Sequence, residues 1–547
     1  MSIITKTTDV LILGGGTAAL RAGVAASTAG VSTTILRKGP PNVWIVAFNA
    51  PVLEGIDSPG DYFNDMVRQG GFISDFDLVS TLTSEAIKQV HFFEEHGISF
   101  KHGKKGYAPR LTSGNRIPRS LYTTDRVGPE MISCMGRLLR EQKVSIKSNR
   151  SAISLLINDG RAVGVLAVDQ KNWNLEIYQA KAVILATGGL GRLYAVSNNN
   201  PNLKGDGYVL AYRVGADLVD MEFVQFEPFW VIVPGMKETN GTSFLLDDGP
   251  RIYNGKGEEF IPFKGIGLGK AELSREIFLQ VQTGKGTPNG GVYFDLTHVT
   301  PEKLKTHARF LAFCKRAGLD LSKEPLEVGP TQHHMMGGVR IDPKARSTIP
   351  GLFAAGEVAG GVHGADRLAG NSGTDVLVYG ALAGQYAAEY AKASGDTSIP
   401  SQIVSDSLMV LDRFTGNESL DQNVINNIHI KLENMLWANA GIVRHKTGLE
   451  SALDEILGLR NKTLKLRAKE ISEQVQILEL ENHLLVAEMI TRGALLREES
   501  RGAHFRSDFP QRDDRNWLRS IMTYQQKSEM KNAILKLERV RSEPVGK

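Results

Sequence analysis

The run Gly14-x-Gly16-x-x-Ala19 directly follows an apolar stretch and opens an alanine-rich one. In that setting the first glycine makes the turn, the second lets backbone approach a pyrophosphate, and Ala19 lets a helix pack close on a strand. The helix N-terminus offers N–H groups and positive dipole to a phosphate. A purely structural glycine turn uses the same letters, but the strand before it and the helix after it favour dinucleotide binding. The acidic residue that usually ends the second strand is missing, and Leu36-Arg37-Lys38 stands there. Arg37 would suit a 2′-phosphate; a solvated arginine is the simpler reading. Arginine can also clamp a carboxylate bidentately. Taken singly, however, an arginine such as Arg275 or Arg367 is more often a surface or ion-paired residue. There are only two cysteines, Cys134 and Cys314. The chain alone cannot build a disulfide scaffold, an iron–sulfur cluster or a cysteine zinc site, so a cofactor must be held by other means and a reducing compartment fits.

The elements that must position these residues are legible in outline. Asp9 to Leu13 reads as a buried parallel strand, Thr17 to Ala29 as a helix and Ser32 to Leu36 as a second strand, a βαβ unit. Strand–glycine signals recur at Ala182–Gly189 and at Gly351–Glu357, the latter followed by a helix from Asp375 to about Ala391. Three signals so far apart predict an α/β fold with one discontinuous, Rossmann-like nucleotide domain. Between them an inserted α+β piece is rich in turn residues and short alternating runs such as Gly291–Asp295. Beyond it a helical bundle is expected, with Leu459 to Ile490 free of Gly and Pro. The expected division is 1–227 and 328–402 for the nucleotide domain, 228–327 for the insert, 403–501 for the helical domain and 502–547 for a C-terminal segment ending in a basic helix and tail.

Composition narrows the function classes. The 547 residues carry 64 basic and 60 acidic side chains, a formal charge of +4, too balanced for a nucleic-acid binder or a polybasic anchor. The apolar stretch from Val10 to Ala26 is broken by glycines and Arg21, so it reads as strand, turn and helix rather than as a signal peptide. No run of 18 uncharged apolar residues occurs, so no direct membrane insertion is expected. Cytoplasmic residence is the default, with attachment at a membrane only through a partner.

The chain resembles the flavoprotein subunits of succinate dehydrogenase and fumarate reductase, a family that includes L-aspartate oxidase. The resemblance is carried by Val10–Ala19, Thr124–Gly128, Ala186–Gly189, Gly205–Gly207, Pro330–Gly338, Gly356-Glu357, Val362–Ser372, Ser500–His504 and Asp508–Asp514, in order along nearly the whole chain. It implies FAD, with Gly14, Gly16 and Ala19 at the pyrophosphate turn and Thr187, Gly188, Asp206, Glu357, Asn371 and Ser372 at cofactor-binding positions. The relatives that attach FAD covalently use a His shortly after the second strand. Arg37 to Ala50 contains none, so attachment there is excluded and FAD is expected to be non-covalent. The insert becomes a capping domain over the flavin.

The resemblance further implies that His333 and Arg367 clamp a substrate carboxylate and that Arg275 delivers a proton. His334 and His363 read as structural or flavin-side residues, and no metal site is expected. One departure stands out. Where the family has Gln-Phe-His-Pro-Thr for a second carboxylate, this chain reads Gln225-Phe226-Glu227-Pro228-Phe229. Where the family has Thr-Glu-Gly, this chain keeps Thr239, a further substrate-site candidate, but continues Asn240-Gly241. A carboxylate facing a carboxylate at ~4 Å costs about 4 kcal/mol, roughly a thousandfold in affinity. Either Glu227 is protonated, or it points away, or the substrate is not a carboxylate at that end; the last is preferred. The expected activity is interconversion of a saturated carboxylic acid with its α,β-unsaturated counterpart, on a non-standard substrate. An amino-acid oxidase like L-aspartate oxidase and an electron-relay subunit without its own substrate are the alternatives. Electrons come from a soluble reductant or from a separate iron–sulfur subunit.

Overall fold

A computed structural model describes residues 3–40, 45–104, 106–123, 126–236, 239–261, 269–525 and 535–541. Strand β1 (Ile4–Leu13) emerges from an exposed start into complete burial at Val10, Leu11 and Ile12. This apolar run is what a parallel strand covered on both faces requires. Helix α1 (Thr17–Thr28) follows, then β2 (Thr33–Arg37), β3 (Ser145–Ser148), β4 (Arg150–Asn158), β5 (Arg161–Asp169) and β6 (Leu175–Leu185). The strand order is β3-β2-β1-β6-β5-β4. β1 runs parallel to β2 and β6, whereas β4, β5 and β6 form an antiparallel meander.

The insert is built on β7 (Val224–Val231), β8 (Arg251–Tyr253), β9 (Glu259–Ile261), helix α2 (Lys270–Gln280), β10 (Val292–Asp295) and β11 (Leu326–Met335). Its sheet order is β7-β11-β10-β8-β9. β7 and β11 each span two cores. Val224, Phe226 and Met335 belong to the large core, while Phe229, Val231, Leu326 and Val328 belong to a second core with Leu273, Phe294 and Phe310. The pairing of β7 with β11 slips twice, around Gln225/Phe226 and between Glu227 and Trp230, where Pro228 has no N–H to give the ladder.

Strand β12 (Leu352–Ala354) rejoins the first sheet beside β6, and α3 (Asn371–Ala393) packs against α1. That helix pair is close: a Cβ on Gly384 would stand 2.2 Å from the carbonyl oxygen of Ala22. Then come α4 (Ser401–Asp412), α5 (Gln422–Asn439), α6 (Lys446–Thr463) and α7 (Ile471–Leu496). The last is buried on nearly every face from Gln474 to Ala494 and forms the axis of this region. The Gly- and Pro-free stretch from Leu459 to Ile490 is not one helix. It breaks between α6 and α7, where Glu470 and Glu473 form a capping box and Ala468 hydrogen-bonds to Phe414.

The C-terminal segment departs from expectation. In place of a basic helix, Arg519–Gln525 and Leu535–Arg541 are antiparallel strands, and the first also pairs with Leu218–Val219. Ile521 and Thr523 alternate inward with burial to 1% exposure each, a period-two pattern that a waiting strand edge converts into sheet. Among the described residues no helix is long and apolar enough to cross a membrane. Replacing Ile521 with Asp buries an unpaired carboxylate in that sheet and should lower stability by about 3 kcal/mol, read by urea denaturation; an unchanged midpoint would contradict the strand.

Candidate active site

A cleft of about 1290 Å³ runs from the ends of β1, β2 and β6 to the underside of the capping region. Its nucleotide end is lined by Gly14, Gly16, Lys38, Thr187, Gly188, Asp206, Glu357 and Ser372. Gly14 has φ +138°, and a Cβ there would sit 2.0 Å from the carbonyl oxygen of Ala186, so only glycine makes this turn. Gly16 is different. It caps α1, no side chain bonds the cap, and a Cβ would meet nothing within 4 Å. Open space in front of an uncapped helix N-terminus is what a pyrophosphate needs, so these residues fit a dinucleotide.

Arg37 is not on the cleft wall and is not simply solvated: its Nε donates to the Ser148 hydroxyl at 2.8 Å. Lys38 lines the cleft in its place, bridged to Asp206 at 3.1 Å and Glu479 at 2.5 Å, and these carboxylates hold its ammonium above the usual lysine range despite burial. Glu357 accepts from the Met335 amide at 2.9 Å, and burial pushes its carboxyl up to about 7. Ala19 packs inside α1 rather than on the cleft wall. Asn371 is also behind the wall: its Oδ1 accepts from Asn49 and Tyr62 at 2.6 Å each.

The cleft wall also carries Glu227, Lys270, Arg275, His333 and Arg367. Arg367 is buried; its Nη2 donates to Gln225 at 2.9 Å and its Nε has no partner. Burial lowers its pKa, with Glu227 the leading opposing charge. A buried, partly unsatisfied guanidinium is a poised anion receptor. His333 is engaged at Nδ1 by the Asn198 amide at 3.1 Å, leaving Nε2 as the nitrogen available to a ligand. Burial, aided by the charges of Lys270 and Arg367, holds its pKa well below the usual value, so it is neutral. Arg275 stacks over Phe505 at 4.6 Å and makes no ion pair among the described residues.

Glu227 does not point away. One carboxylate oxygen accepts from Lys270 and the other from Ser243, so it enters the cleft as half of a buried ion pair. Lys270, Ser243 and Asn198 escaped the sequence reading. The accessible signal was Lys270, the first residue of α2, five before Arg275 and next to a Gly269–Glu272 capping pair. Thr239 is buried but is not on the cleft wall, where Asn240 stands hydrogen-bonded to Arg126 at 3.3 Å. His334 lies 3.7 Å from Glu357, and His363, behind the wall, packs edge-on to His334 and 3.8 Å from Asp375. Thr124 and Asp125 lie outside the described residues.

Fold and cleft together define a protein with a dinucleotide-binding cleft. Residues 9–372 match the FAD binding domain family, and residues 429–546 match the fumarate reductase flavoprotein C-terminal family. The chain is 36% identical over 533 residues to a fumarate reductase (CoM/CoB) subunit of Methanothermobacter marburgensis, covering 94% of this chain and 96% of the relative. It is 32% identical to the fumarate reductase flavoprotein subunit of Mycobacterium tuberculosis, covering 96% of each. Among solved structures, quinol fumarate reductase FrdA of E. coli superposes with TM-score 0.90 at 26% identity, covering 100% of this chain and 98% of that one. Mycobacterium smegmatis Sdh1 gives 0.87 at 30% identity, covering 100% and 96%. The chain belongs to the fumarate reductase/succinate dehydrogenase flavoprotein family; it is an FAD-dependent oxidoreductase acting on CH–CH bonds.

Gly16→Val should fold normally by circular dichroism, since nothing lies within 4 Å of where its Cβ would stand, yet purify with FAD content reduced by about tenfold or more. Full flavin occupancy would place the pyrophosphate elsewhere.

Proposed function

We propose that this chain reduces the C=C bond of an α,β-unsaturated carboxylic acid, using FAD held without a covalent link. The observation that supports it best is the convergence of Arg275, His333 and Arg367 on the same cleft as Gly14 and Gly16. Bound FAD supplies the hydride. The chain's part is to fix the substrate, stabilise the developing enolate charge and provide the proton. Arg367, on the cleft wall, offers its guanidinium to one substrate carboxylate, and neutral His333 adds a hydrogen bond without a charge that would have to be desolvated.

Arg275 gives its proton to the neighbouring carbon. An arginine is not ordinarily an acid, and it serves here because the acceptor is a strongly basic, carbanion-like carbon. The Phe505 ring under it supports the guanidinium without a carboxylate to raise its basicity further. Electrons reach the flavin from outside the chain, through a soluble reductant or an iron–sulfur subunit. Such a subunit would also be the route to a membrane. Arg37 to Ala50 offers no histidine for covalent attachment, which supports the non-covalent assignment.

The decisive measurement is anaerobic reduction of the bound FAD followed by mixing with fumarate and related enoates. Rapid reoxidation by at least one is expected; if none reoxidises it faster than buffer, the proposal fails. Peroxide formed with L-aspartate in air would instead indicate an amino-acid oxidase. Arg275→Ala should cut the reoxidation rate by about 10³-fold or more with little change in KM, as loss of a transition-state proton donor does; no effect would favour a relay subunit. Acid precipitation should release all flavin to the supernatant, and flavin kept in the washed pellet would refute the non-covalent assignment.

A further inference from the structure

Arg367 is on the cleft wall and forms no ion pair among the described residues; Glu227, Glu357, Asp366 and Asp375 bear on it only through their charge. Asp366, its neighbour in the chain, is also buried on the wall. One amide stands between the two side chains. Gln225 Oε1 accepts from Arg367 Nη2 at 2.9 Å, while Gln225 Nε2 donates to Asp366 Oδ1 at 2.6 Å and to the Arg367 carbonyl at 2.9 Å. Reversing that amide would set its NH2 against a guanidinium and its oxygen against a carboxylate, so the contacts fix its orientation. The other oxygen of Asp366 accepts from Gln69 at 2.6 Å. Gln225 itself is fully buried behind the wall, at the first slip of β7 against β11. Lys270, whose charge also reaches Asp366, is bonded to Glu227, and burial keeps His333 and His334 neutral.

Opposite charges buried side by side ordinarily close on one another, because each left alone in low dielectric is costly. Resting on the reading of Arg367 as the carboxylate clamp, we infer that Gln225 is a positioning residue that acts as a spacer: it satisfies Arg367 and Asp366 separately and keeps Asp366 from taking the guanidinium that a substrate carboxylate needs. With the spacer in place, Arg367 gives Nη2 to the amide and Nη1 to the Leu368 carbonyl at 3.3 Å, and its Nε has no partner. A guanidinium closed directly on Asp366 would already have its charge matched and its fork of N–H groups engaged.

The test uses the oxidised, FAD-loaded protein at about pH 8, where Asp366, pushed up to about 6 by burial, is ionised. Succinate and butyrate are the probes, and their binding is read by the shift in flavin absorbance. Gln225→Leu should weaken the tighter-binding acid by about tenfold or more, as the two freed charges close on each other. Adding Asp366→Asn to that variant leaves Arg367 nothing to close on and should restore affinity to within about threefold of wild type. A merely structural glutamine gives no such recovery, because the second substitution would add a further loss. Asp366→Asn alone, which stands in if Gln225→Leu does not fold, should tighten binding by about threefold or more, since a carboxylate near the bound anion is gone. With an enoate that reoxidises the flavin, Gln225→Leu should raise KM and leave kcat within about threefold. Unchanged affinity or KM in Gln225→Leu, a double variant as weak as the single one, or an Asp366→Asn protein that binds no tighter than wild type overturns the spacer. Wild-type binding of a saturated acid with no reoxidation by any enoate would sink the proposed reaction and leave the spacer standing. No binding of either acid to the wild type would sink the spacer itself.

Discussion

The backbone of Gly14 lies so close to that of Ala186 that a single methyl group would stand 2.0 Å from its carbonyl oxygen. This contact brings the C-terminal ends of β1 and β6 together. Adjacent parallel strands ending side by side create a crevice into which both following segments open. From the first comes the uncapped start of α1, and from the second comes Thr187-Gly188. The helix is held in place by glycines: α3 carries Gly380 and Gly384, whose missing side chains let α1 approach to backbone contact. The phosphate end of the cleft is thus a consequence of close packing at a few small residues.

The substrate end depends on a different constraint. β7 and β11 leave one hydrophobic core and enter another, and between the two the ladder slips. Residues at that seam cannot be buried in either core, yet they are shielded from water by both. Glu227 and His333 occupy it, and α2 brings Lys270 and Arg275 to the same place. Low dielectric at the seam makes each charge expensive unless matched, which is why the carboxylate of Glu227 is paired and His333 stays neutral. Arg367 is a buried cation whose Nε has no partner.

A second dense network lies behind the substrate end. Arg497 joins Glu222 and Glu499 at 2.7 and 3.1 Å, and Arg501 joins Glu499 and Asp514 at 2.7 and 2.9 Å. Asp220 accepts from the Ile521 amide at 3.0 Å and from Ser520 at 2.9 Å, tying the C-terminal strand to the approach to β7. Burial, with Glu222 beside it, pushes the Asp220 carboxyl up to about 7. These residues hold Gly502, His504 and Phe505 on the cleft wall, and Phe505 supports Arg275. The C-terminal region is therefore a scaffold for Arg275.

The sequence by itself determined the βαβ unit and the second and third strand–glycine signals. These follow from short apolar runs and from glycines whose backbone geometry no other residue adopts. It also singled out the residues of the substrate end, because their types and order match a known pattern. Only the tertiary structure decided what those residues do to one another. Nothing in Gln225-Phe226-Glu227 announces Lys270, which lies 43 residues away and meets it across the seam between two cores. The C-terminal strands, the break between α6 and α7, and the retreat of Asn371 and Thr239 behind the cleft wall were decided the same way. The first three are outcomes of partners distant in the chain: an open strand edge, a backbone bond to Phe414, a side-chain amide of Asn371 taken up by Asn49. Local pattern encodes backbone conformation, whereas the pairing of charges depends on which surfaces folding brings together.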